Sequence, residues 1–371
     1  MTRPPAEPGD RLDRIDTPAL LLDLDAFDGN LEQLDRALEG TKVSVRPHAK
    51  SHKCPEIARI QVSRGAVGIC CQKLSEAEVM AQNGITDILI CNQIVTPQKI
   101  ERLCQLSRDI KVSVLVDDEA NIELLDEISG NYQCTLNLLV ELNVGSNRCG
   151  VNSPESALAL AKRITDSTNL RFKGLHAYQG AAQHSRTFTE RKSSIERAAL
   201  IAKKTQELLR RNAIPCDYIT GAGTGTFELE AASNVYTEIQ PGSYIFMDAD
   251  YQKNLNQLGN PINEFKNSLF VLASVISHTT PGRPIVDAGL KSLAVDSGMP
   301  RVFEDSATYI SASDEHGVLT TNASESFPIG SKVRLIPGHC DPTVNLYDWI
   351  VCVRNDQVTN IWPVSARGAS L

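Results

Sequence analysis

Two histidines and two lysines fall within six residues at His48-Ala49-Lys50-Ser51-His52-Lys53, directly after Arg46-Pro47. Crowded cations and partial burial favour the uncharged amine, which lowers a lysine's pKa. An uncharged amine is what Lys50 needs to form a Schiff base. The plain alternative is a solvated basic loop. Gly221-Ala222-Gly223-Thr224-Gly225-Thr226 suits a different task. Successive backbone N–H groups of a glycine-rich turn form an anion-binding nest, and the hydroxyls of Thr224 and Thr226 add donors. Pro241-Gly242-Ser243-Tyr244 is a second loop of this kind. Each alone is only a loop; as a pair they predict a phosphate cradle facing a lysine.

Other groups have more than one use. Arg148, in Gly145-Ser146-Asn147-Arg148-Cys149-Gly150, can contact a cofactor oxygen or close a structural salt bridge. Tyr178 can pack on a planar ring. His176 is either a contact residue or structural, whereas His184 falls in a loop where core packing explains it poorly. Near the C-terminus stands Pro337-Gly338-His339-Cys340-Asp341-Pro342. On an extended segment residues i and i+2 share a face, so His339 and Asp341 can hold one divalent cation while Cys340 points away. Imidazole plus carboxylate suits Zn²⁺, Mn²⁺ or Mg²⁺. Ser313-Asp314-Glu315-His316-Gly317 is a further polar cluster with no assigned role.

The elements that must position these groups are readable as runs of apolar and β-branched residues: Val43–Arg46, Val67–Cys71, Asp87–Cys91, Val112–Val116, Leu136–Leu142, Phe172–Tyr178, Tyr218–Thr220 and Val235–Ile239. Helical patterns separate them. Ser75 with Glu78 reads as a capping box closed by Gly84. Ser153 before Pro154 opens another helix, and Phe188–Arg211 is long and amphipathic. Alternating strands and helices imply a parallel sheet, and eight units predict a (β/α)₈ TIM-like barrel over residues 25–252. Active sites of such barrels lie at the carboxyl ends of the strands, with phosphate after strands seven and eight. The two glycine-rich loops occupy those places, and Lys50 follows strand one. Beyond about Asp250 the helical period fades. Runs at Leu269–Ile276, Pro284–Asp287, Lys332–Ile336, Trp349–Val353 and Val358–Trp362, separated by turn signals, predict a C-terminal antiparallel β domain over 253–371. Segment 1–24 contains the strand-like Pro18–Asp23 and can join that domain.

Composition narrows the class. The chain has 371 residues, 42% hydrophobic and 22% charged, with a net charge of −8. An acidic balance argues against nucleic acid as a partner. No apolar run reaches the roughly 20 residues of a membrane span, and MTRPPAEPGDRLDR lacks the apolar core of a secretory signal. The ten cysteines include Cys70, Cys71 and Cys91 in predicted strands and form no CxxC pair. Free buried thiols and a reducing cytoplasm are therefore expected.

Taken in order, Arg46-Pro47-His48-x-Lys50-x-His52-Lys53, Tyr178-Gln179-Gly180, Gly221-x-Gly223-Thr224, Pro241-Gly242-Ser243-Tyr244, Asp287-Ala288-Gly289-Leu290-Lys291 and His339-x-Asp341 resemble the D-threonine aldolase/D-serine dehydratase family. These are fold-type III pyridoxal-phosphate enzymes, related to the N-terminal barrel of alanine racemase. The resemblance runs from about residue 16 to the C-terminus. Tyr178–His184 and Gly338–Thr343 are most similar to the branch acting on 3-hydroxyaspartate. Eukaryotic D-serine dehydratases resemble His-x-Cys at the metal pair; Asp341 departs from that and weighs against a D-serine specialist. The resemblance implies that Lys50 holds pyridoxal phosphate as a Schiff base. It implies that Gly223, Thr224, Gly242, Ser243 and Tyr244 cradle the phosphate and that Arg148 and Tyr178 surround the ring. It further implies that His339 and Asp341 bind a divalent cation (Mn²⁺, Mg²⁺, Zn²⁺ or Co²⁺) and that His184 acts near the substrate hydroxyl. The implied activity is aldolase cleavage of D-3-hydroxy amino acids, D-threonine or 3-hydroxy-D-aspartate, to glycine and an aldehyde. The alternatives are a dehydratase giving a 2-keto acid and ammonia from D-threo-3-hydroxyaspartate or D-serine, and a noncatalytic pyridoxal-phosphate-binding protein. A homodimer is expected by analogy.

Overall fold

Short β-branched runs between amphipathic helices fold here as parallel strands of one closed sheet. The structure, a computed structural model, describes residues 3–321 and 327–371. Strands Ser44–Val45, Ile69–Cys71, Asp87–Gln93, Lys111–Val116, Leu136–Glu141, Leu170–His176, Ile219–Gly221 and Glu238–Ile239 make an eight-stranded sheet. The first strand lies beside the eighth, with Ser44 opposite Glu238. A parallel bridge between His48 and Cys70 joins the first strand to the second and closes the barrel.

The helices follow the expected pattern with one exception. Ser153 caps helix Pro154–Thr165 by accepting from the Ser156 amide. Phe188–Arg211 is one helix of 24 residues, opened by a reciprocal capping box between Thr187 and Glu190. The box expected at Ser75 and Glu78 does not form. Helix Leu74–Gln82 has Lys73 at its N-cap with no side-chain bond. The Ser75 hydroxyl bonds the Leu371 carbonyl instead, and Glu78 pairs with Arg102.

A second, nine-stranded sheet carries the rest of the chain. Its centre is the N-terminal strand Ala19–Asp23, antiparallel to Leu269–Ser277 and parallel to Trp349–Arg354. The sheet is thus mostly, not wholly, antiparallel. Successive strand residues point to opposite faces, and both faces of Ala19–Asp23 are covered. Leu20 and Leu22 join the large core shared with barrel residues such as Phe27 and Ile239, while Ala19 and Leu21 pack with Phe270 and Val351. Strands Arg301–Val302, Thr308–Ala312 and Gly317–Thr320 were not legible in the sequence. The polar cluster Ser313–His316 is the turn of the hairpin between the last two, closed by the Ser313 amide on the His316 carbonyl.

Arg46 stabilises the barrel where it closes. Its guanidinium is buried and reaches Glu238 at 3.0 Å and Asp87 at 2.7 Å. A Cβ on Gly68 would stand 2.2 Å from Arg46 Nη1, so glycine leaves room for the pair. Burial opposes the charge, but Glu238 and Asp87 raise the Arg46 pKa above its usual value. Removing one partner of a buried pair strands the other charge. Arg46→Ala should therefore cost about 3–5 kcal/mol of unfolding free energy. Urea unfolding checks this, and an unchanged midpoint would refute the role.

Candidate active site

A cavity of about 350 Å³ lies at the carboxyl end of the barrel strands, within the roughly 300–1,000 Å³ range of cofactor sites. Lys50, Arg148, Tyr178, Gly223, Thr224, Gly242 and Ser243 line it together with His48, His176, Gln240 and Tyr251. Lys50 rises from the short turn Ala49–Ser51, whose first amide bond goes from Lys50 N to His48 Nδ1. Its Nζ stands 2.8 Å from Asp341 Oδ2, 291 residues away.

That contact corrects the charge expected for this loop. The Asp341 carboxylate raises the Lys50 pKa well above its ordinary value, outweighing burial. Lys50 is an ammonium here, not a free amine. Burial pushes His48 and His52 down to about 3, so both are neutral. Lys53 is paired with the buried Glu76 at 3.4 Å. The crowd of cations read from the sequence is thus two uncharged rings and two lysines each paired with a carboxylate. Burial alone would raise Asp341; Lys50 and then His339 bring it down to about 2.

The Gly223–Thr226 loop has a brace behind it. The Gln183 side-chain oxygen accepts from Gly225 N at 2.9 Å, and its amide donates to Thr226 Oγ at 2.7 Å. Thr226 in turn donates to Glu230 Oε1 at 2.9 Å. The Thr226 hydroxyl is thereby committed away from the cavity. A Cβ on Gly223 would meet the Gln183 side-chain oxygen at 2.6 Å. Thr224 Oγ is buried at the cavity wall with no hydrogen-bond partner. A buried hydroxyl left unpaired is costly, and an anion's oxygen would satisfy it. Ser243 donates to Asp341 Oδ1 at 3.3 Å. Tyr244 departs from expectation: its ring turns out of the cavity into the core. It packs on Phe265 and accepts from Gln61 at 3.1 Å, so only its backbone can serve a phosphate.

The Arg148 guanidinium lies 5.9 Å from the centre of the Tyr178 ring. His176 forms the floor, with Nε2 3.3 Å from Gln240 Oε1 and Nδ1 3.5 Å from Glu141. Burial works against its charge, yet Cys91 and Glu141 raise it to about 10. Glu141 also approaches Asp117 and Cys149, their ligand atoms all within 4.8 Å.

His184 and His339 are each held by a carboxylate the sequence reading missed. His184 Nδ1 is 2.6 Å from Asp250, and its ring stacks 5.0 Å from that of Tyr251 on the cavity wall. His339 Nδ1 is 2.7 Å from Asp296. The extended geometry expected for His339 and Asp341 holds only for the first. His339 is the N-cap of a short helix, Cys340–Val344, so Asp341 sits in its first turn while Cys340 is buried in the core. Asp248 accepts from Cys340 N at 3.2 Å, and Ala249 N bonds the Pro337 carbonyl. One tripeptide, Asp248-Ala249-Asp250, therefore fastens the His339–Asp341 turn and His184 alike. Its signal was two aspartates just past the eighth strand.

The brace has a pH signature. Glu230 is fully buried, its Oε2 unpartnered, and burial pushes its carboxyl up to about 8 from 4.5. Between those values the folded protein holds a proton that the unfolded chain has lost, so stability falls as pH rises. Glu230→Gln should flatten the decline in unfolding free energy between pH 4.5 and 8. Parallel curves for the two proteins would exclude the effect.

Comparison with known proteins agrees with this architecture. Residues 22–250 match the family model described as alanine racemase, N-terminal domain, and 268–353 match the putative serine dehydratase domain. A D-threonine aldolase from Arthrobacter sp. is 48% identical over 99% of this chain and 97% of that protein. A 3-hydroxy-D-aspartate aldolase from Paracoccus denitrificans is 42% identical over 98% and 95%. The crystal structure of D-threonine aldolase from Filomicrobium marinum superposes with a TM-score of 0.95 at 44% identity, covering 100% of both chains. The chain belongs to the D-threonine aldolase/D-serine dehydratase family of fold-type III pyridoxal-phosphate enzymes.

Proposed function

We propose that the protein is a pyridoxal-phosphate- and divalent-cation-dependent aldolase that cleaves D-3-hydroxy amino acids such as D-threonine or 3-hydroxy-D-aspartate to glycine and an aldehyde. The observation that carries this reading is the 2.8 Å contact between Lys50 and Asp341. It sets a barrel amine against a carboxylate from the C-terminal part of the chain, at the edge of a cavity walled by a glycine-rich loop.

The residues present suit both groups. Gly223, Gly242 and the unpaired Thr224 hydroxyl form the cradle for a phosphate. Arg148 and Tyr178 flank the space for a planar ring. His339 and Asp341 offer the nitrogen and oxygen donors that Mn²⁺, Zn²⁺ or Co²⁺ accept. When bound, pyridoxal phosphate supplies the electron sink that Cα–Cβ cleavage needs, and a divalent cation the Lewis acidity that lowers a hydroxyl's pKa. Lys50 is the amine that would hold the cofactor as a Schiff base. His184 has Nδ1 directed at Asp250, which leaves Nε2 to take a proton from the substrate hydroxyl as general base. Relatives above 40% identity that carry aldolase names support the aldolase outcome over dehydration. Asp341 departs from the His-x-Cys pair of the eukaryotic D-serine dehydratases, which weighs against a D-serine specialist.

Ten free cysteines support a reducing, cytoplasmic setting. Among the described residues no helix is long and apolar enough to cross a membrane. A homodimer belongs to the same proposal, by analogy with the family.

Incubation with pyridoxal phosphate and Mn²⁺ should release glycine from at least one of D-threonine, D-threo- and D-erythro-3-hydroxyaspartate. Keto acid and ammonia without glycine would make it a dehydratase, and no turnover of any of these or D-serine would refute catalysis. Lys50→Ala should abolish the cofactor's absorbance near roughly 410–430 nm; an unchanged band would move the attachment to Lys53. Asp341→Ala should keep that band yet lose more activity than the roughly 10–100-fold expected for an outer-sphere partner.

A further inference from the structure

We infer that Asp296 is a positioning residue for the cation site: it fixes the ring of His339 through Nδ1, so that Nε2 is the nitrogen offered to the metal. The inference rests on the cation-binding role proposed above for His339 and Asp341.

An imidazole free to rotate and to exchange tautomers is a poor ligand, because either nitrogen can carry the proton. A carboxylate on one ring nitrogen removes both freedoms and makes the other nitrogen more basic. Asp296 Oδ2 lies 2.7 Å from His339 Nδ1, and the same oxygen accepts from Ser297 Oγ at 3.1 Å. The Asp296 side chain is 52% exposed and that of His339 28%. Pairs so open to water contribute little to folding, so stability does not account for the contact.

The segment bearing Asp296 is locked to the turn bearing His339 by two independent contacts. The buried Thr343 hydroxyl accepts from Ala294 N at 3.2 Å and donates to the His339 carbonyl at 2.7 Å. Two residues beyond Asp296, Gly298 packs its carbonyl against Gly338, where a Cβ would stand only 2.1 Å away. Backbone links on either side of Asp296 thus hold its carboxylate at a fixed distance from the ring. The rest of the turn has separate anchors: Asp248 on Cys340 N, and Lys50 and Ser243 on Asp341. Only the His339 ring depends on Asp296.

The test is Mn²⁺ titration of the pyridoxal-phosphate-loaded protein, with free Mn²⁺ read by electron paramagnetic resonance. Asp296→Ala should raise the Mn²⁺ Kd by about 10–100-fold and leave the cofactor absorbance and melting temperature unchanged. Asp296→Asn should retain most of the affinity, because its amide oxygen still accepts the Nδ1–H. Wild-type affinity in Asp296→Ala, alongside weakened binding in Asp341→Ala, would overturn the inference alone. Equal loss in the Asn and Ala variants would make Asp296 a ligand in its own right and also overturn it. Unchanged affinity in both His339→Ala and Asp341→Ala would remove the cation site, and the inference with it.

Discussion

An ammonium and a carboxylate 2.8 Å apart, Lys50 and Asp341, organise this molecule's chemistry. Lys50 lies in the turn after the first barrel strand and Asp341 in the short helix Cys340–Val344 between strands of the second sheet, and neither would hold its charge as firmly alone. Asp341 is drawn well below its ordinary range by Lys50, and Lys50 is held charged by Asp341. The barrel and the second sheet must dock correctly for the pair to exist, because the two residues come from opposite ends of the chain.

Beneath the pair, polar side chains are arranged in relays rather than isolated bonds. Gln240 connects the Cys91 and His176 floor to Thr220 and then to Glu238, which receives Arg46. Gln183 connects the anion loop to Thr226 and Glu230. Such networks are costly when incomplete and rigid when satisfied. The unpaired atoms are therefore informative. Among them, Thr224 Oγ faces the cavity and Glu230 Oε2 lies behind it. Rigid support with one open hydroxyl is what holding a phosphate in a fixed place requires.

The barrel strands were legible because apolar runs of the right length alternate with capped helices, and Ser153-Pro154 marked one start without ambiguity. The loops after strands seven and eight were legible from glycine and hydroxyl content alone. The protonation state of Lys50 was not, since its partner is 291 residues distant and spacing carries no information about such a contact. Tyr244 was misplaced for a local reason. The turn Ser243–Ile245, separated from the strand by three residues, rotates the Tyr244 side chain into the core. Asp250 and Asp296 escaped notice because an aspartate in a turn is common. Only the ring nitrogens they face distinguish them.

The strand Ala19–Asp23 carries a further consequence. Made among the first residues of the chain, it pairs Leu20 with Val271 on one side and with Ile350 on the other. During synthesis it must wait until Ile350 has been made before it gains its second neighbour. Contacts of such long sequence separation are slow to form, and an unpaired apolar strand invites association with other chains meanwhile. The sheet beside which Asp341 sits thus needs strands made far apart in the chain, and the cavity forms only when they have met.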